Sequence, residues 1–179
     1  MAHLPALAAV GLVTEVWRWM HAEQRTEADL RGWIETALAA QAAGRELPFA
    51  TVERASGRAV GSTRYLNIEP AHRRLEIGWT WLAPAWQGTA VNSEAKLLLL
   101  EHAFERLGAR RVEFKTDSLN EQSRRALAAI GATEEGTLRN HMLTASGRQR
   151  HSVYFSVVAE EWPQVRARLV ERVARLARG

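Results

Sequence analysis

The chain has 179 residues, 46% of them hydrophobic, which is enough for one continuous core and too few to indicate two, so we expect a single domain over residues 1–179. No apolar run approaches the roughly 18 residues of a membrane span and no secretion signal opens the chain, so the sequence predicts a cytoplasmic protein without membrane contact. The complete absence of Cys excludes disulfides, thiolate metal ligands and cysteine nucleophiles.

The charge pattern gives little support to a nucleic-acid partner. The net charge is +4 and the pI about 10.3, but the chain has only two lysines, Lys96 and Lys115, and its arginines are spread along its whole length. The six histidines show neither HxH nor HExxH spacing, so no metal site is predicted.

The N-terminal quarter of the chain has helical periodicity. Residues 3–20 and 26–43 predict two helices, the second capped by Thr26 with acidic residues in its first turn and ended by Gly44.

A change of period then predicts strands. Residues 47–55 and 59–68 are β-rich on either side of a Gly57 turn, and residues 74–83 alternate apolar and polar side chains, which together predict an antiparallel meander. Pro84 stops the third strand.

The next segments predict a strand, helix and strand unit with a right-handed crossover. An apolar helix is expected at 93–107 and a strand at 110–116. Ser118 and Glu121 fit a capping box that opens another helix, and Gly131 ends it.

The C-terminal part predicts a second hairpin and a last helix. Strands at 133–144 and 149–158 are joined by a turn at residues 145–148. The tail at 160–178 is amphipathic, with an apolar side formed by Trp162, Val165, Leu169, Val173 and Leu176. The order predicts an α/β (α+β) fold in which helices flank a central mixed, twisted sheet.

The stretch from Trp79 to Lys96 places a proline and a loop of small residues between a strand and a long helix. Backbone N–H groups at such a helix start can hold a pyrophosphate. An ordinary connection with Asn92 or Ser93 as N-cap explains the loop equally well.

A second polar segment lies in the helix that follows Ser118. At about 100° per residue, Asn120 and Ser123 share the inward stripe with Leu119, Ala126, Leu127 and Ile130. These two polar side chains either bond nearby backbone or face a ligand.

Several motifs together resemble one family, the GNAT N-acetyltransferases. The Gln87-x-x-Ala90-x-Asn92 loop resembles their Q/R-x-x-G-x-G/A acetyl-CoA motif. The further matches are Glu76-Ile77-Gly78-Trp79, Asn92-Ser93-Glu94-Ala95-Lys96, Asn120-x-x-Ser123-Arg124-Arg125-Ala126-Leu127, Gly131-Ala132 and Glu135-Gly136-Thr137-Leu138-Arg139. They are similar to the RimJ/RimL-type branch, named for acetylation of ribosomal-protein N-termini, over roughly residues 12–165.

The resemblance implies acetyl-CoA as acyl donor and assigns roles to particular residues. The main chain at Leu82 would pair with pantetheine, the amides from Gln87 to Ser93 would hold the pyrophosphate, and Arg124 or Arg125 would meet the 3′-phosphate. The implied cofactor-binding residues are Leu82, Gln87, Gly88, Thr89, Ala90, Val91, Asn92, Ser93, Asn120 and Ser123.

Three features depart from the family pattern. The usual glycine is replaced by Ala90, whose Cβ tolerates positive φ poorly, and the usual small residue is replaced by Asn92, which is read as an N-cap. The family begins with a β-strand, whereas this chain is predicted to be helical from about Leu4, so either the start lies downstream of the usual one or that edge strand is lacking.

The implied reaction is direct attack of a neutral amine on the acetyl thioester, without an acyl-enzyme. Ser123 is the candidate general acid and Glu76 the candidate general base, with His141 as a second base. A structural carboxylate is the alternative reading of Glu76. The acceptor is expected near Trp17, Trp19, Trp33 and Tyr65, although such aromatics also suit a core.

The amine is left open by the sequence. A protein N-terminal α-amine, a small-molecule amine (antibiotic, polyamine or amino acid) and a non-catalytic acyl-CoA-binding role are the competing interpretations. The apolar C-terminal helix and the strand edges are also compatible with a homodimer.

Overall fold

A mixed six-stranded sheet organises the protein, and the computed structural model describes it over residues 1–20, 23–144 and 146–178. The strand order is β1-β2-β3-β4-β6-β5. Two compact units contain these strands: Met1–Ile68 with Ile77–Gln87, and Glu69–Glu76 with Gly88–Gly179. Throughout the described ranges no helix combines the length and the apolar character needed to cross a bilayer.

The strand pairings confirm the predicted mixed sheet. β1 (Leu47–Val52) and β2 (Ala59–Glu69) are antiparallel, and β3 (Arg74–Leu82) follows β2 in the order. β3 pairs in parallel with β4 (Arg111–Asp117), as expected for a crossover, but the paired stretch is only Arg74–Glu76 on β3. In β3 the backbone at Trp79 adopts φ +50, which is unusual for a bulky residue within a strand.

The first unit begins with helices that differ from the predicted pair. The helix expected at 3–20 is two short helices, α1 (Leu4–Gly11) and α2 (Thr14–Trp17). The Trp17 indole N–H donates to the Gly11 carbonyl, a tertiary bond that competes with continuation of the helix and marks the end of α1. The prediction of one continuous helix was therefore wrong.

α3 (Glu27–Ala42) confirms the second predicted helix and its cap. Thr26 and Asp29 form a reciprocal capping box. The core of this unit packs α1 to α3 against β2 and β3, and its buried members are Leu4, Leu7, Val16, Trp17, Leu30, Ala59 and Trp81.

The second unit contains the remaining helices and strands. They are α4 (Ala90–Glu101), continued by one π turn over His102–Arg106, then α5 (Glu121–Ile130), β5 (Thr133–Leu143), β6 (Gln149–Val158) and α6 (Trp162–Leu176). α4 starts three residues earlier than expected, and the cap of α5 is Asn120 rather than Ser118. In the predicted turn at 145–148, Ala145 lies outside the described residues.

The sheet of this unit has one apolar and one polar face, because side chains alternate along each strand. Val112, Phe114, Val153, Phe155 and Val157 are at most 2% exposed and form the apolar face. Glu113, Lys115 and Asp117 of β4 alternate with them, and their partners on β6 are Ser156, Tyr154 and Ser152. This second set is called the polar sheet face below.

Candidate functional site

The carbonyl at the end of β3 already has a hydrogen-bond partner. The Gln87 side-chain amide donates to the Leu82 carbonyl over 3.0 Å. Leu82 itself is buried and Gln87 is exposed. A ligand that pairs with this carbonyl must therefore displace the Gln87 amide.

The start of α4 has the backbone that an anion site requires. Gly88 has φ +77, and a Cβ built there would meet no atom within 4 Å, so its surroundings are open. Thr89 is the N-cap, and its hydroxyl accepts from the Val91 amide over 3.3 Å. The first four N–H groups of an α-helix lack partners within the helix, so this turn can present donors to a phosphate.

The conformation of the loop bears on both departures from the family pattern, at Ala90 and at Asn92. Ala90 is the first helical residue and is not among the residues with positive φ, since Gly88 takes that conformation instead. Asn92 is the third residue of the helix, so the prediction that Asn92 or Ser93 caps it was wrong. Thr89 is the N-cap because its backbone is extended (φ −88, ψ −178), whereas Asn92 and Ser93 already lie inside the helix.

Ser93 is turned away from open solvent. It is 3% exposed, and its hydroxyl accepts from the Arg172 Nε of α6 over 3.0 Å. One turn later Lys96 is 5% exposed, its ammonium lies 5.8 Å from the Phe114 ring centroid, and burial lowers the pKa of Lys96 to about 7. The Ser93 hydroxyl is thus engaged with α6, and its backbone amide is the first that bonds within the helix, to the Thr89 carbonyl.

The two polar residues of α5 behave differently. The Asn120 side-chain oxygen Oδ1 accepts from the Ser123 backbone N–H over 3.0 Å, which is the bond to nearby backbone that the sequence left open. The Ser123 side chain is half-buried and its hydroxyl has no hydrogen bond to any residue of the described ranges. Leu119 was expected on the inward stripe, but it is 59% exposed because it precedes the helix, whereas Leu127 and Ile130 are buried.

The two arginines expected at the 3′-phosphate are both engaged in ion pairs. Arg124 Nη2 lies 3.2 Å from a Glu134 carboxylate oxygen, and Arg125 Nη1 lies 3.0 Å from Glu121. Both pairs are substantially exposed, so they contribute little stability and can exchange for another anion.

Glu76 lies on the short stretch of β3 that pairs with β4. It is 3% exposed, and the Lys115 ammonium lies 3.7 Å from its carboxylate. Lys115 also sits 5.9 Å from the ring centroid of Tyr154. The candidate base is therefore a buried carboxylate beside a cation and a phenol.

The polar sheet face also holds a charged cluster that sequence reasoning missed. Asp117 is 2% exposed, accepts from the Leu119 amide over 3.0 Å and is paired with Arg148. Arg150 is 8% exposed, and its Nε lies 4.0 Å from the same carboxylate. The alternation of Arg150, Ser152, Tyr154 and Ser156 with apolar residues along β6 was the available signal.

His141 faces the same positive surroundings. Its ring lies 5.8 Å from that of Tyr154. Burial lowers the pKa of His141, and the charges of Lys115 and Arg150 lower it further. An open cleft of about 1040 Å³ runs along this hairpin, lined by Thr137, Leu138, Arg139, Asn140, His141 and His151.

The aromatic residues proposed for the acceptor divide into two groups. Trp17 and Tyr65 are 2% and 1% exposed, so they belong to the core. Trp19 and Trp33 are half-buried and stack on arginines, with Arg18 5.0 Å from Trp19 and Arg64 4.2 Å from Trp33. Only this second pair remains accessible to a ligand.

Comparison with known proteins finds acetyltransferases among those that this chain resembles. Residues 1–133 match the acetyltransferase (GNAT) domain family. A Bacillus subtilis protein named as a ribosomal N-acetyltransferase, YdaF, is 33% identical over 106 residues, which are 59% of this chain and 57% of that relative. The match therefore spans little more than half the length of that relative.

Solved structures resemble nearly the full length of the chain. A GCN5-related N-acetyltransferase from Brucella melitensis is 30% identical with a TM-score of 0.89, and the match covers 96% of this chain and 78% of that one. Mycobacterium smegmatis RimJ, solved with CoA-disulfide, is 27% identical with a TM-score of 0.76, covering 96% and 83% respectively.

Proposed function

Since this chain belongs to the GNAT acetyltransferase family, in its RimJ/RimL-like branch, we propose that it is an acetyl-CoA-dependent N-acetyltransferase whose acceptor is a protein N-terminal α-amine. The observation that carries the proposal is the start of α4, where Gly88 adopts positive φ in open surroundings and Thr89 caps the helix. The choice of acceptor rests on the ribosomal acetyltransferases among its relatives.

The residues at the start of α4 fit a pyrophosphate. The amides of Ala90 and Asn92 belong to the first turn, where no intrahelical acceptor is available, and the helix dipole adds a positive potential. The absence of a Cβ at Gly88 lets a phosphate oxygen approach the backbone. These amides would hold the nucleotide, and Asn120 and Ser123 at the start of α5 would contact the pantetheine arm.

Bound acetyl-CoA supplies a thioester whose carbonyl carbon is attacked by the amine. In the reaction a C–N bond forms, the C–S bond breaks, the amine loses one proton and the sulfur gains one. Ser123 would donate to the departing sulfur, because its hydroxyl is free of other described partners. Glu76 would take the proton of the amine, directly or through a water, with Lys115 holding its carboxylate in place.

A direct test is an acceptor panel in which free CoA thiol is measured. The panel contains peptides with different first residues, matched peptides with blocked N-termini, and small amines including a polyamine, an aminoglycoside and free amino acids. Binding of acetyl-CoA is measured in parallel by calorimetry. Thiol release only with free peptide N-termini is expected.

Each other outcome is equally informative. Turnover of the small amines alone would replace the peptide acceptor by a small-molecule acceptor. Binding of acetyl-CoA without thiol release from any amine would leave a non-catalytic acyl-CoA-binding protein. No binding of acetyl-CoA would overturn the proposal as a whole.

A further inference from the structure

The Asp117 carboxylate lies near two arginines, and only Arg148 forms a hydrogen bond with it. Arg148 donates to its carboxylate, and the Leu119 amide donates to the other oxygen. The Arg150 Nε lies 4.0 Å from the carboxylate, too far for a hydrogen bond. Of the described residues, none accepts a hydrogen bond from this buried Nε.

The same strand carries a second polar atom without a partner. Ser152 is fully buried, and its hydroxyl has no hydrogen bond within the described ranges. It lies two residues from Arg150 on the polar sheet face, opposite Asp117. An unsatisfied buried donor costs about 1–3 kcal/mol, so two of them two positions apart on β6 indicate that acceptor atoms are supplied by something else.

The charges on this face do not balance. Lys115 is paired with Glu76, and Glu113 with Arg74 and Arg111, but Arg148 and Arg150 share the single carboxylate of Asp117. The excess positive charge is felt by His141, whose pKa is lowered by burial and by the charges of Lys115 and Arg150. A nearly buried cation without a hydrogen-bonded counter-ion is costly, so this face is complementary to one further negative group.

We propose that Arg150 is a specificity-determining residue that binds a carboxylate of the acceptor, so that the preferred amines carry a carboxylate close to the reacting nitrogen. The proposal rests on the proposed function for the identity of the ligand. An arginine held by Asp117 is fixed in orientation, and a guanidinium matches a carboxylate through paired N–H donors. The 8% exposure of Arg150 shows that it is not sealed from solvent.

Two acceptors can present this chemistry. A peptide can carry it on the side chain of an acidic first residue, and a free amino acid carries it as its α-carboxylate. Three compounds separate these cases: the tripeptide Glu-Ala-Ala-amide, its neutral counterpart Gln-Ala-Ala-amide, and free glutamine. Their N-acetylated forms cannot react and serve as ligands for calorimetry.

The variants are Arg150→Gln, which removes the charge, and Arg150→Lys, which keeps the charge but lacks the paired N–H donors of a guanidinium. Arg110→Gln is the matched control, because Arg110 is a 61% exposed arginine paired with Glu160. In wild type the KM of a carboxylate-bearing acceptor is expected to be roughly 10- to 100-fold lower than that of Gln-Ala-Ala-amide. Arg150→Gln should abolish that difference, Arg150→Lys should restore part of it, and Arg110→Gln should preserve it.

The result also identifies the carboxylate. A preference for Glu-Ala-Ala-amide indicates an acidic peptide, and a preference for free glutamine indicates an amino acid. Equal KM values for all three compounds in wild type, or an Arg150→Gln effect of the same size on each, would overturn the inference.

The binding measurements keep the two proposals distinguishable. If no amine releases thiol, the proposed function fails, yet the N-acetylated compounds still report whether Arg150 discriminates a carboxylate from an amide. If Arg150→Gln does not fold, the wild-type comparison and Arg150→Lys decide. Wild-type binding that ignores the carboxylate rejects the role of Arg150 in either case.

Discussion

The Gln87 side-chain amide Nε2 donates a hydrogen bond to the Leu82 carbonyl oxygen over 3.0 Å. If that carbonyl pairs with the pantetheine arm, the amide must first leave. A neutral hydrogen bond contributes about 0.5–1.5 kcal/mol, so the occupied carbonyl should weaken acetyl-CoA binding by a measurable amount.

Gln87→Ala should therefore bind acetyl-CoA roughly 2- to 10-fold more tightly, because the backbone amide is kept and the competing side chain is lost. Calorimetry with acetyl-CoA measures the effect. Gln122→Ala on α5 is the control, as it is an exposed glutamine to which no role is assigned. Weaker binding by Gln87→Ala would mean that the amide contacts the nucleotide instead.

The free hydroxyl of Ser123 gives a second prediction. Ser123→Ala should lower kcat by about 10²-fold if the hydroxyl protonates the leaving sulfur, while the affinity for acetyl-CoA stays nearly unchanged. Steady-state kinetics with a peptide acceptor and calorimetry separate the two quantities. Ser118→Ala, in the loop before the same helix, should behave like wild type. An unchanged kcat in Ser123→Ala would remove this residue from the mechanism.

Glu76 and Glu113 occupy paired positions on β3 and β4, which offers a matched comparison. Glu113 forms an ion pair of 2.8 Å with Arg111, and we assign it a structural role. Glu76→Gln should lower kcat by about 10²-fold or more and remove the acidic limb of the pH profile of kcat/KM. Glu113→Gln should lose stability but keep the shape of that profile. Equal profiles in the two variants would return Glu76 to the structural role that the sequence left open.

The order of helices and strands was predictable because the spacing of apolar residues within each segment is sufficient to tell a helix from a strand. The capping residue of α4 was not, because Asn92 and Ser93 have capping propensities as good as that of Thr89 and the choice depends on where Gly88 turns the chain. The break after Gly11 depends on an indole six residues away. Alternation along β6 indicates that Arg150 lies on the polar side of the strand, but its approach to Asp117 depends on the register of β4 against β6, which no local pattern contains.

His141 provides a pH-dependent prediction. Its folded pKa lies below the ordinary value of 6.5, mainly through burial and further through the charges of Lys115 and Arg150. Protonation of His141 therefore favours the unfolded chain. The contribution of the neutral imidazole to the free energy of unfolding is complete above about pH 6.5 and is lost as the pH falls through the folded pKa.

NMR titration of the imidazole should give a midpoint below 6.5, with His141→Gln identifying the signal. Arg150→Gln should move that midpoint upwards, because one of the two positive charges is removed. Arg110→Gln should leave it in place. A midpoint that does not respond to Arg150→Gln would argue against the positive potential inferred for the polar sheet face.

Gly61 on β2 lies closely against the backbone of β3. A Cβ added there would lie 2.2 Å from the Trp81 carbonyl oxygen and 2.6 Å from Leu82 Cδ2. The nearer atom belongs to the backbone of β3 and cannot rotate away, so the strands must separate. Gly61→Ala is expected to lower the free energy of unfolding by about 3 kcal/mol or more.

Gly32 is the matched control, since it lies inside α3 and a Cβ there would meet nothing within 4 Å. Gly32→Ala should raise the stability by about 0.5–1 kcal/mol through helix propensity alone. Urea unfolding of both variants gives the comparison. The two changes add the same methyl group, so opposite signs would locate the effect in the contact of β2 with β3, whereas equal stability would show that these strands can move apart at little cost.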